Sequence, residues 1–207
     1  MPFVKRDAAA PAVAGQLSDD SAAAIANLKN PQAEARWSAA RALGNRREAV
    51  PALAAALGLE HVSRVREAMM TALIRIGDEA SVRALVPYLR SQDAGLRAST
   101  IEALQSLPNA ISPYIDQLME DSDSDVRLLA TELVRNMPAE DATRALCRLL
   151  EREQHANVCA AAIELLAEVG TRGAVPALQS CAERFVGVPF VAFAASTAIA
   201  RISDAEG

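Results

Sequence analysis

The sequence predicts an all-α fold, an α-solenoid of about five stacked helix hairpins with half-repeats at its ends. Three observations carry this. An apolar–arginine step recurs along the chain, its anchor falling at positions 36, 66, 97, 127, 159 and 192, spacings of 30, 31, 30, 32 and 33 residues. Apolar residues make up 51% of the 207, too many for disorder, yet the seven aromatics are too few for a sandwich or barrel core. No segment shows the strict alternation of a half-buried strand, whereas apolar residues recur at helical spacing throughout.

Taken in chain order, residues 1–18 include Ala8-Ala9-Ala10-Pro11 and are expected to be a flexible tail or an extra capping turn. Residues 19–207 are expected to form a single repeat domain, opening with a half-repeat over 21–28 that closes the N-terminal edge. The first helix of each repeat carries Arg36, Arg66, Arg97 and Arg127 at the anchor, then Cys159 and Ala192 in the last two copies. Ala35, Val65, Leu96, Val126, Val158 and Val191 precede it. Three places later come Ala39, Met69, Thr100, Ala130, Ala162 and Ala195, and seven later Leu43, Leu73, Leu104, Val134, Leu166 and Ile199. Those offsets lie on one helical face, the face that must be buried.

A second helix follows each of the first five, marked by Val50/Leu53/Leu57, Val82/Leu85/Leu89, Ile111/Tyr114/Leu118, Thr143/Leu146/Leu150 and Val175/Leu178/Ala182. Breakers or polar turns separate the paired helices: Gly44-Asn45, Gly77-Asp78, Pro108-Asn109, Pro138 and Gly170-Thr171. The run Asp121-Ser122-Asp123-Ser124-Asp125 supplies capping oxygens ahead of Val126-Arg127. One hairpin cannot bury its stripe alone, so successive copies stack. The last copy, 190–203, is degenerate and lacks its second helix.

This pattern resembles HEAT repeats, specifically the short bacterial HEAT-like type also found in phycobilisome lyases, over roughly residues 20 to 203. The resemblance implies that the anchor arginine bonds a polar residue at the preceding turn: Asp121 or Asp123 for Arg127, Asp93 for Arg97, Asn30 for Arg36. These arginines are therefore read as structural, holding repeat register through charge-assisted bonds. The resemblance also implies that the second helices line a concave surface.

Twenty-one Lys and Arg against 26 Asp and Glu leave a formal charge of −5, which argues against a nucleic-acid partner. No apolar run approaches the roughly 20 residues of a membrane helix, and the start lacks a continuous hydrophobic segment after its charges, so a cytoplasmic location is expected. Three cysteines, Cys147, Cys159 and Cys181, sit in apolar helical patterns and suit buried thiols in a reducing compartment.

The residues offer little chemistry. His61 and His155 stand alone in inter-repeat loops, and no His-Glu pair recurs as in the di-iron hydroxylases of similar architecture. A base-excising glycosylase of this architecture would need a basic, aromatic cleft, which the charge and the sparse aromatics oppose. Phosphate loops, nucleophile elbows and CxxC motifs are absent. No catalytic residue, metal ligand or cofactor is therefore assigned.

Aligned second helices place one stripe on the expected concave face: Pro51/Ala55/Gly58, Arg83/Pro87/Arg90, Ser112/Asp116/Met119, Arg144/Arg148/Glu151 and Pro176/Ser180/Glu183. Its middle is locally basic. Such a face is ordinarily a solvated, salt-bridged surface. The functional expectation is a partner site of Arg83, Pro87, Tyr88, Arg90, Asp116, Arg144, Arg148 and Glu151 that holds an acidic segment of another protein. Phe185, Phe190 and Phe193 concentrate where a solenoid needs a polar cap; inward packing is expected, with a homodimer through this apolar edge as the alternative. The leading expectation is a non-enzymatic scaffold or adaptor. The rival is a lyase or chaperone like the phycobilisome lyases, whose groove would hold a tetrapyrrole by Arg83, Arg144, Tyr88 and Tyr114.

Overall fold

The computed structural model describes residues 19–204, so the tail expected over 1–18 lies outside the described residues. Helices α1 (Asp19–Asn27), α2 (Ala33–Ala42), α3 (Val50–Leu57), α4 (Ser63–Ile76) and α5 (Glu79–Leu85) are followed by a 3-10 turn, Val86–Arg90. Next come α6 (Ala94–Gln105), α7 (Pro108–Ile111), α8 (Ile115–Met119), α9 (Ser124–Leu133) and α10 (Ala139–Arg152). The chain closes with α11 (Ala156–Val169), α12 (Val175–Arg184) and α13 (Pro189–Asp204). The fold is an all-α solenoid, with no strand among the described residues.

The helices form two layers. In one, α2, α4, α6, α9, α11 and α13 pack in succession; in the other, α3, α5, α8, α10 and α12 follow α1, each joined to the first layer by its own hairpin. The core lies between them. At the position seven after the anchor, Leu43, Leu73, Leu104, Val134 and Leu166 are wholly buried, and only Ile199 in the terminal helix is partly open. Full burial of a leucine side chain contributes about 2 kcal/mol, so this single row is a large part of the force that stacks the repeats. Thr100 is also buried in this core, and its hydroxyl donates to the Leu96 carbonyl at 2.7 Å, so that hydroxyl is satisfied.

Local chemistry ends and starts the helices where the sequence requires. Gly77 closes α4 in the left-handed region at φ 60°, and Asp78 then caps α5 by accepting from the Ser81 amide at 2.9 Å. A Cβ at Gly77 would stand 2.9 Å from the Ile74 carbonyl oxygen. Gly77→Ala is therefore expected to lower stability by about 1 to 2 kcal/mol in a urea melt, the cost of an L-residue in that backbone region. Asp93 caps α6 through the Leu96 amide at 3.1 Å. In the third hairpin Pro113 interrupts the second helix, and the chain passes through a 3-10 turn between α7 and α8. That break moves the register by one residue. Ile111, Ile115 and Leu118 are buried, while Tyr114, expected among the core residues, sits half-buried at the rim.

Two further expectations are corrected here. Cys147 is only half-buried, whereas Cys159 and Cys181 are enclosed. Phe185 packs against the core as expected, but Phe190 is 50% and Phe193 75% exposed. They lie on the side of α13 opposite its buried residues Val191, Ala195 and Ala198, where none of the described helices covers them.

Candidate functional site

Along the loops between repeats runs a ladder built on the anchor. Arg36, Arg66, Arg97 and Arg127 each donate to the backbone carbonyl six residues earlier, of Asn30, Glu60, Ser91 and Asp121. The carboxylate partners come from the following loop, not from the preceding turn. Asp93 pairs with Arg66 at 2.9 Å, not with Arg97 as expected, because it stands in the loop that closes the hairpin opened by Arg66. At Cys159 the thiol makes the same contact to Glu153, at 3.7 Å, and Arg184 of α12 reaches back to the carbonyls of Leu150, Glu151 and Glu153.

Two anchors make a closed fork. Arg36 donates through Nε and Nη2 to Glu60 at 2.7 and 3.0 Å, and Arg127 to Glu153 at 2.6 and 3.0 Å. Both glutamates are buried and each also accepts the next two backbone amides, of His61 and Val62 or of Gln154 and His155. The Arg36 fork holds the Glu60 carboxyl below its ordinary range. At Glu153 burial pushes upward, but Arg127 and the two amides outweigh it and the carboxyl is again held low. The glutamates escape a reading of isolated motifs; the signal is the same residue type 24 and 26 places beyond two equivalent arginines.

On the second-helix face the structure matches the cations with carboxylates. Arg148 of α10 pairs with Asp116 of α8, Arg152 with Glu120, and Arg90 with Asp121. Arg144 pairs with Asp141 on its own helix, so the like charges at 144 and 148 are offset by Asp141 and Asp116. The tyrosines brace adjacent hairpins. Tyr88 donates to the Ala54 carbonyl of α3 and packs on Gly58, while Tyr114 donates to Glu79 at 2.9 Å. Glu79 also lies 3.9 Å from Arg83, which brings Tyr114 and Arg83 to one carboxylate. Burial, and then Glu79, raises the Tyr114 hydroxyl pKa. Pro87 and Glu151 are exposed beside this row.

Two clefts open at the loop ends of this layer. One of about 780 Å³ lies between α1 and α3, its walls Ile25, Leu28, Ala52, Ala55, Ala56 and Leu59 and its floor Arg36 and Glu60. The other, about 460 Å³, lies between α8 and α10 over Arg127 and Glu153 and is ringed by Glu120, Asp121, Arg152 and His155. Cys159 and Cys181 are enclosed further on. The hydrogen bond to Cys181, then burial, pushes the Cys159 thiol well up. Among the described residues no helix is long and apolar enough to cross a membrane.

The HEAT repeats family matches residues 21–105 and 111–187. Among curated proteins, the bilin biosynthesis protein PecE of Mastigocladus laminosus is 36% identical over 148 residues, covering 69% of this chain and 54% of that protein. PecE of Nostoc sp. is 32% identical over 126 residues, covering 59% and 49%. The chain thus spans about half the length of the curated relatives it matches. Among solved structures, the complex of CpcE and CpcF of phycocyanin lyase from Nostoc sp. PCC7120 aligns at TM-score 0.39 and 19% identity, covering 97% of this chain and all of that one. A designed armadillo repeat protein bound to a (KR)4 peptide aligns at 0.43 and 18%, covering 89% of this chain and all of that one. The named relatives overturn the expectation of a plain non-enzymatic scaffold, since the curated relatives that the chain matches are named bilin biosynthesis proteins. They also leave the expectation of no enzymatic role without support. With the repeat matched across most of its length and the two-layer stack in place, the chain belongs to the HEAT repeats family.

Proposed function

We propose that this chain handles a linear tetrapyrrole, as a lyase component or chaperone that holds a bilin for attachment to another protein. The observation that carries the reading is the 36% identity over 148 residues to a bilin biosynthesis protein. The physical features accord with it. A bilin is an extended, largely apolar chromophore with two propionates, and the second-helix face offers an apolar cleft walled by Leu28, Ala52, Ala55 and Leu59 with Lys29 at its mouth. A protein partner is part of the reading, and the exposed edge at Phe190 and Phe193 is where we seat it.

Absorbance tests it directly. Purified full-length chain mixed with biliverdin is expected to shift and intensify the visible band, because a fixed, extended conformation replaces the flexible helical one that a free bilin adopts in water. An unaltered spectrum at protein in large excess removes the reading.

A further inference from the structure

The two clefts occupy equivalent places in the first and fourth repeats, yet their mouths differ residue by residue. Counted from the Arg–Glu forks, Glu120 and Arg152 of the fourth repeat correspond to Lys29 and Leu59 of the first. In the fourth repeat these two close the mouth with an ion pair at 2.6 Å. In the first they cannot pair. Leu59 is left 79% exposed, and Lys29 has no carboxylate partner among the described residues.

The walls differ in the same sense. Where the fourth repeat has Arg148 and Leu149, and the second has Pro87 and Tyr88, α3 carries Ala55 and Ala56. Later helices of this layer send a side chain back to the one before: Tyr88 to α3, Arg148 to α8. Helix α3 reads Val-Pro-Ala-Leu-Ala-Ala-Ala-Leu and has no polar side chain to send. The gap to α1 therefore stays open and apolar.

We propose that this cleft between α1 and α3 is the seat of the tetrapyrrole, its rings against Leu28, Ala52, Ala55 and Leu59 and one propionate on the Lys29 ammonium; the inference rests on the bilin reading above. Its volume of about 780 Å³ falls in the usual range of small-molecule sites, about 300 to 1,000 Å³. The floor adds shape and no free charge, because every Glu60 oxygen is already engaged by Arg36 and the amides of His61 and Val62. The cleft thus suits a ligand that is apolar through its body and anionic at its edge. It does not suit a small polar anion.

The experiment is a biliverdin titration of the full-length chain followed in the visible band, with circular dichroism and a thermal melt confirming the fold of each variant. Ala55→Trp fills an exposed wall of the cleft. The double variant Lys29→Glu, Leu59→Arg transplants the mouth of the fourth repeat and closes the first. Each is expected to weaken binding by at least about tenfold, while Arg83→Glu with Arg144→Glu leaves it within about twofold. Wild-type binding that both cleft variants retain in full would overturn this assignment and leave the bilin reading standing. A wild-type chain that shows no band shift at all would remove that reading and this site with it.

Discussion

Replacing Glu153 with alanine is expected to lower the stability of the fold by about 3 kcal/mol and its melting temperature by roughly 10 °C. The carboxylate is 4% exposed, receives the Arg127 fork and accepts the amides of Gln154 and His155. Alanine strands the guanidinium against α9 and two amides at once, and removing one partner of a buried pair costs more than the pair itself contributes. Glu153→Gln keeps an acceptor for the amides and is expected to lose less. The acid limb separates charge from shape. The folded carboxyl titrates below its unfolded value of about 4.3, so its contribution is complete above that pH and is lost as pH falls through the lowered folded pKa. In Glu153→Gln that part of the acid loss is missing, and stability plotted from about pH 6 to pH 3 is flatter than in the wild type. Parallel curves would show that the Glu153 charge contributes no net stability.

Leu104→Ala is expected to cost about 3 kcal/mol and to split the unfolding transition. Leu104 is wholly buried in α6, the helix that links α4 on one side to α9 on the other. A cavity there weakens the coupling between the two halves of a stack whose stability is nearly a sum over neighbours. Trp37, the only tryptophan, lies in α2 and reports the first repeats, whereas helicity reports all of them. The two probes are expected to coincide in the wild type and to separate in the variant under urea. Coincident curves in the variant would mean that the repeats unfold as one body even with that contact removed.

Much of this stack is readable from residue spacing. The anchor step, the row at Leu43, Leu73 and Leu104 and the hairpin turns are all local periodicities, and burial follows them. Tyr114 shows the limit of counting: a proline one place earlier turns a regular helix into a 3-10 step, and the core residue becomes Ile115. The carboxylate partners were misplaced for a different reason. Arg66 and Asp93 lie 27 positions apart, nearly a whole repeat, and meet only because the hairpin between them folds back, which a reading of adjacent turns does not contain. Exposure of Phe190 and Phe193 has the same origin, since composition measures hydrophobicity but not whether a further helix covers it. The cleft beside α3 was visible only as a run of alanines. Its meaning depends on the missing ion pair across its mouth, which emerges when the first and fourth repeats are compared in space.

The long-range tether at Arg184 sets an order on assembly. In the first four copies the arginine that grips the loop lies six residues downstream, so the grip forms as soon as the next helix has begun to wind. At the fifth a thiol stands at that place and the gripping arginine is 31 to 34 residues further along, on α12. As the chain leaves the ribosome, four loops can lock in turn behind the growing end, while the turn at 150–153 gains its Arg184 contacts only when an entire hairpin has emerged and folded back.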